Sequence, residues 1–222
     1  MALCFHRQRI TLATMNKATL YYVYDPMCSW CWGYHITWVR LQKQLAIKMP
    51  NVTIRYVLGG LAADSDVPMP KDMQQFLQQT WHKIHQQLGT EFNHDFWTRC
   101  QPRRSTYPSC RAAIIARQSE QEVQMIHAIQ QAYYLQARNP SNIEVLTDIA
   151  VNLGIDKQHF MQQIGSDELN QQLMTELAFA RQLPIQGFPS LVLQYQQQFY
   201  PIQLDYQDAN TSLDNIKHLV ES

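Results

Sequence analysis

Strand-forming sequence falls in two short clusters, one toward each end of the chain, with a long helical stretch between them. Residues 19–24 are β-branched and aromatic, and residues 52–58 alternate through Val52, Ile54, Tyr56 and Leu58. The second cluster is residues 190–193 and 199–204, read as a hairpin across residues 196–198. Two strands alone make a sheet that is marginal in water, so neither cluster is self-sufficient. The two must meet in one sheet, and everything between them must leave that sheet and return. This predicts an α/β fold of βαβ–ββα order with an inserted all-helical domain. Residues 18–63 and 184–222 are expected to form the discontinuous sheet domain, and residues 64–183 the helical insertion.

The first crossover helix is expected over residues 29–48, where Trp32, Ile36, Val39, Leu41 and Leu45 recur at helical spacing before Pro50. Within the insertion, Met73, Phe76, Leu77, Trp81, Ile84 and Leu88 predict one apolar face, with Gly89 as the C-cap. Further helices are expected from Pro108 to Arg117 and over residues 120–138. Ser141 and Glu144 read as a capping box for a helix that stops at Gly154. Residues 156–164 and 167–182 complete the block, and a last helix covers residues 213–220.

Composition narrows the partners. The chain has 222 residues, no formal net charge at pH 7 and only 16% charged residues. That balance argues against nucleic acid or an anionic membrane surface as the main partner. No apolar run approaches the roughly 20 residues of a membrane span. Residues 1–17 are expected to be a disordered leader, with Met15 as an alternative start. Arg7 and Arg9 break its apolar stretch, so no signal peptide is expected and the cytoplasm is favoured. Five cysteines do not make a paired extracellular framework.

The chemistry concentrates at Cys28-Ser29-Trp30-Cys31, between a strand and a helix. Two cysteines three apart at a helix start can bring their sulfurs to bonding distance. The first meets the unpaired N–H groups and positive dipole end of the helix, which favour a thiolate. The second lies one turn deeper and is shielded. Cys28 is thus the expected attacking sulfur and Cys31 the resolving one. A zinc site is the competing reading, but it would need a second ligand pair. Cys100 and Cys110 are too far apart for one, and His82 and His85 lie within an amphipathic helix.

Tyr24-Asp25-Pro26-Met27-Cys28-Ser29-Trp30-Cys31-Trp32-Gly33 resembles the DsbA-like branch of the thioredoxin superfamily, and most of all its FrnE-like proteins, described as protein-disulfide isomerases. Gln186-Gly187-Phe188-Pro189-Ser190-Leu191-Val192 resembles that superfamily's cis-proline loop. The resemblance covers about residues 18–222, the helical insertion included. It implies a thioredoxin fold, a thiol–disulfide oxidoreductase or isomerase, and catalytic Cys28 and Cys31. It also implies a cis bond before Pro189, which would lay Phe188 beside the sulfurs and open its backbone to a substrate strand. No cofactor is implied as required; glutathione is a candidate co-substrate. Protein or small-molecule thiols and disulfides are the implied partners, and the oligomeric state is left open, a homodimer included.

Ser29 and Trp30 complete the expected substrate-binding set with Phe188 and Pro189. The Ser29 hydroxyl could donate to the Cys28 thiolate. Trp30 brings no cation, so a mild oxidant is expected within roughly −270 to −120 mV. Trp32 and Tyr34 read as packing residues, and His35 as a proton relay or a packed ring. Arg103 and Arg104 either face Cys28 to hold a carboxylate or belong to a solvated loop. Cys100 and Cys110 are reduced thiols or a second disulfide. Two other functions compete. Kappa-class glutathione transferases and 2-hydroxychromene-2-carboxylate isomerases share the layout, which makes a glutathione-dependent transferase or isomerase the alternative. A non-catalytic binding module or chaperone is the third.

Overall fold

The computed structural model describes residues 18–221, so the leader expected over residues 1–17 lies outside the described residues. Strands β1 (Ala18–Tyr24), β2 (Val52–Leu58), β3 (Ser190–Tyr195) and β4 (Gln198–Ile202) form one sheet in the order β2-β1-β3-β4. β1 runs parallel to β2, with Ala18 opposite Val52 and Tyr24 opposite Leu58. A parallel pair needs a long crossover, and α1 (Ser29–Lys48) supplies it. β3 lies antiparallel to β1, Leu20 opposite Leu193, and β4 closes the hairpin antiparallel to β3. The β1–β3 ladder is where the two strand clusters meet. The observed fold is the thioredoxin fold with a helical insert.

The insert contains α2 (Lys71–Leu88), the short α3 (Phe96–Arg99), α4 (Tyr107–Arg117), α5 (Glu122–Tyr134), α6 (Ile143–Asn152), α7 (Lys157–Gln163) and α8 (Asp167–Ala180). The chain ends in α9 (Ala209–Glu221), which starts earlier than expected. Both faces of the sheet are covered. Leu20, Tyr22 and Tyr24 point into one large apolar cluster that runs through α1 into the insert, reaching Trp81, Phe96, Ile115 and Phe160. The alternate residues Tyr21 and Val23 join Val57, Val192, Ala180 and Leu183 on the opposite face.

Several local expectations change on packing. The buried face of α1 is Cys31, Tyr34, Trp38, Leu41 and Leu45, whereas Ile36 is 57% exposed. The stripe that contains Cys31 and faces the sheet carries the aromatic rings, and Trp38 stacks on Tyr22 at 4.3 Å. α2 ends at Gly89 as expected, but it buries only Trp81 and Ile84, and Phe76 is 60% exposed. Its C-terminal half lies against α1, where a Cβ on Gly33 would come within 2.9 Å of Ile84. That close approach brings Trp81 over the start of α1. α5 stops at Tyr134, because the chain then turns through Ala137 at φ 51°. The Ser141–Glu144 capping box does not form. Asn142 is the N-cap, and the Ser141 hydroxyl instead donates to the Ser105 carbonyl at 2.8 Å.

Candidate active site

The β1–α1 turn sets the site. Tyr24 ends the strand, and Asp25 turns the chain by accepting the Met27 N–H at 2.8 Å through its own carboxylate. Cys28 is the N-cap of α1, in extended conformation, and its sulfur accepts the Cys31 N–H at 3.3 Å. A sulfur in a capping position meets the orphan donors and positive end of the helix. Cys28 is 6% exposed and Cys31 wholly buried, so Cys28 is the less enclosed of the two. Both thiols are unbonded to other cysteines. Burial pushes the Cys31 thiol well above its ordinary value, and its hydrogen bond to Cys28 adds to that shift. Cys31 therefore holds its proton until a partner withdraws it.

On the strand side, Phe188 and Pro189 lie in the loop entering β3, joined by a cis peptide bond. The Cys28 thiol donates to the Phe188 carbonyl at 3.5 Å. Phe188 is half-buried and Pro189 buried. Thus a residue 160 positions from the cysteine meets it through its backbone carbonyl.

On the helical side the contacts are side chains. Trp81 of α2 donates its Nε1–H to the Ser29 hydroxyl at 3.0 Å, a buried bond. Beside it, the Tyr134 hydroxyl donates to the Met27 carbonyl at 2.7 Å. Ser29, expected to serve the Cys28 thiolate, is thus engaged with the helical insert. Trp30 is half-buried, with Tyr206 edge-on at 5.1 Å and the Lys83 ammonium 5.8 Å from its ring centre. The insert therefore supplies a cation near the motif, which the motif itself does not encode.

Behind the cysteines lies Asp25, 0% exposed. Its second oxygen accepts from the Leu61 N–H at 2.7 Å, the Thr106 hydroxyl at 2.7 Å and the Cys110 thiol at 3.7 Å. Burial raises its carboxyl above the ordinary aspartate range, against the pull of those donors. One side chain thus ties the β1–α1 turn, the segment after β2 and the start of α4 together.

Other sequence candidates lie elsewhere. Trp32 stacks on Tyr134 at 5.7 Å and donates Nε1–H to the Glu91 carbonyl. His35 is sandwiched between Trp32 and His127, and burial lowers its pKa, with His127 acting in the same direction. That environment suits a neutral packed ring. Arg103 donates to the Ser141 carbonyl and to Asn142 Oδ1, and exposed Arg104 reaches Met73 Sδ, so Arg103 is held inside the insert. Cys100 and Cys110 do not pair; Cys100 donates to the Ala137 carbonyl at 3.0 Å. His82 stacks on His94 at 4.4 Å, and no group of three or more potential ligands among the described residues is placed to hold a metal ion.

Asp25, Thr106, Trp81, Tyr134, Lys83 and Tyr206 escape the sequence reading as site residues. Asp25 enters the sequence reading only as part of the motif around Cys28 and is given no role of its own, although its place three residues before Cys28 was a usable signal. The others lie 52 or more positions away along the chain, where no local pattern ties them to the motif.

Residues 21–211 match the family model described as Thioredoxin. Among solved structures, one described as a candidate protein disulfide isomerase from Nitrosomonas europaea superposes with a TM-score of 0.80 at 25% identity, covering 92% of this chain and 98% of its own. The cytosolic disulfide reductase DsbM from Pseudomonas aeruginosa, solved alone and with GSH, gives a TM-score of 0.71 at 21% identity for the former, covering 92% and 100%. A curated relative, the ClpXP adapter protein SpxH of Bacillus subtilis (strain 168), is 23% identical over 176 residues, 78% of this chain. The match spans 56% of that relative's length. The chain belongs to the thioredoxin family and carries a DsbA-like fold around a Cys-x-x-Cys pair.

Proposed function

We propose that this protein exchanges disulfides with protein or small-molecule thiols through Cys28 and Cys31. The observation that carries this reading is the unequal placement of the two sulfurs. Cys28 caps α1 beside the Phe188 carbonyl and keeps a little exposure, and Cys31 is shut behind it with its proton held. Reduction of a substrate follows directly. The Cys28 thiolate attacks one sulfur of the substrate disulfide, forming a mixed disulfide and expelling the other substrate sulfur as a thiolate. Cys31 gives up its proton, attacks Cys28 Sγ and releases the second substrate thiol. The substrate leaves as two thiols and the protein as the Cys28–Cys31 disulfide. Oxidation of a dithiol is the same sequence reversed.

Phe188 and Pro189 are assigned to hold an extended substrate segment by backbone pairing, and Trp30 to flank it. Residues 18–63 and 184–222 are the redox domain on this proposal, with residues 64–183 covering Cys28 from the helical side. Glutathione is the co-substrate assigned to the return step, in line with the neighbour solved with GSH. The cytoplasm is the assigned compartment; the matched DsbM is described as cytosolic. Among the described residues no helix is long and apolar enough to cross a membrane.

The test is covalent trapping. Cys31→Ser should accumulate mixed disulfides with partner thiols on non-reducing gels, whereas Cys28→Ser should trap few. Stronger trapping by Cys28→Ser would reverse the two roles, and glutathione as the sole adduct would favour the glutathione-dependent alternative. The adapter description of the SpxH relative favours a binding-module reading. Partner binding that survives loss of both cysteines would support it.

A further inference from the structure

Gly59 follows β2 directly, and its N–H donates to the Tyr24 carbonyl at 2.7 Å. Unlike Gly60, whose φ is 63°, Gly59 does not occupy the left-handed region, so backbone freedom does not explain a glycine there. Space does. A Cβ on Gly59 would lie 2.1 Å from both Cε1 and Cζ of Phe188 and 2.8 Å from its Cδ1. The Phe188 ring therefore rests on the bare Gly59 backbone. It is not a free end that can swing aside, because it packs against both hydrophobic clusters. The carbonyl of the same residue takes the Cys28 thiol hydrogen bond at 3.5 Å. Ring and carbonyl branch from one Cα, so lifting the ring tilts the carbonyl.

We infer that Gly59 is a positioning residue for disulfide exchange at Cys28. Its missing side chain seats the Phe188 ring, and that seat holds the Phe188 backbone where an extended substrate chain pairs beside the sulfur. The inference rests on the disulfide-exchange reading and deepens it: substrates with a backbone to pair depend on Gly59, and small disulfides do not.

The experiment compares Gly59→Ala with the unaltered protein on two substrates. One is a peptide with several residues on either side of an intermolecular disulfide; the other is hydroxyethyl disulfide, which has no backbone. The added methyl should lower kcat/KM for the peptide about tenfold to hundredfold, chiefly through KM, and change hydroxyethyl disulfide turnover by less than about twofold, since misplacement near 1 Å costs up to about two orders of magnitude. In a Phe188→Ala background the methyl has no ring to strike, so Gly59→Ala should add little further loss. Equal losses on both substrates, or an undiminished loss in the Phe188→Ala background, would overturn the inference. If Gly59→Ala folds poorly, Phe188→Leu tests the same seat from the ring side, and an unchanged peptide KM there would overturn it. Failure of the unaltered protein to turn over either disulfide would remove the disulfide-exchange reading instead.

Discussion

On the strand side of Cys28 the contact is backbone: the Phe188 carbonyl faces the sulfur, and the ring of the same residue rests on Gly59. On the helical side the contacts are side chains. Trp81 reaches Ser29, Tyr134 reaches the Met27 carbonyl, and Thr106 and Cys110 reach Asp25. A backbone contact survives most substitutions at its own position, and it makes demands only where space or φ is limiting. A side-chain contact disappears with one substitution and leaves its partner unsatisfied. The two walls should therefore fail differently. Damage to the helical wall should appear as lost stability, and damage to the strand wall as altered substrate choice.

Asp25→Ala should give the largest effect. It removes the acceptor for the Met27 and Leu61 N–H groups, the Thr106 hydroxyl and the Cys110 thiol, at a position wholly buried. Stranding several buried donors predicts a loss of about 3–5 kcal/mol, read from urea unfolding. A loss below about 1 kcal/mol would mean that the joint between the β1–α1 turn and the insert is held by apolar packing instead. The carboxyl also carries a pH signature. Burial raises its folded pKa, while the unfolded chain titrates near about 3.9. Between those two values the folded state binds more protons, so the Asp25 contribution to stability falls as pH rises and levels off above the folded pKa. Asp25→Asn should remove that slope from the pH dependence of unfolding.

Tyr134→Phe probes the helical wall more gently. It keeps the ring, which stacks on Trp32, and deletes the hydroxyl that donates to Met27, one residue before Cys28. The expected cost is about 1 kcal/mol of stability, with peptide kcat/KM nearly unchanged. Gly59→Ala should instead lower peptide kcat/KM strongly, alongside an overpacking cost of about 1–3 kcal/mol. If Tyr134→Phe instead lowers peptide turnover without destabilising the protein, the division between the walls does not hold.

The same contrast explains what the sequence disclosed. The strand wall was legible because the Gln186–Val192 segment resembles the superfamily's cis-proline loop, and the Cys28–Cys31 spacing at a helix start states its own geometry. The fold was legible because two strand clusters had to meet, and β1–β3 pairing is that meeting. The helical wall was not legible, since Trp81 and Tyr134 look like any buried aromatics on amphipathic helices. Periodicity marks which face of a helix is apolar but not how far its neighbour extends, which is why Phe76 was expected inside and lies outside. Ser141 shows a further limit. It has the residue type and spacing of a cap, but the Ser105 carbonyl, brought near by the fold, takes its hydroxyl hydrogen.

Lys83 should give the smallest effect, and it marks where the two walls differ in charge. Its ammonium lies 5.8 Å from the centre of the Trp30 ring, on an exposed position of α2. An exposed cation–π contact is worth about 0.5–1 kcal/mol, so Lys83→Gln should scarcely move the unfolding midpoint. Its charge should act on encounter. A disulfide carrying carboxylates, such as oxidised glutathione, should react about twofold to fivefold more slowly with Lys83→Gln at low ionic strength, and neutral hydroxyethyl disulfide should not slow. The gap should close as salt approaches about 0.5 M, where the screening length falls below the size of the site. An equal slowing of both disulfides, unmoved by salt, would show that Lys83 acts by holding the Trp30 ring in place. In that case the helical wall, too, would contribute to substrate placement through packing.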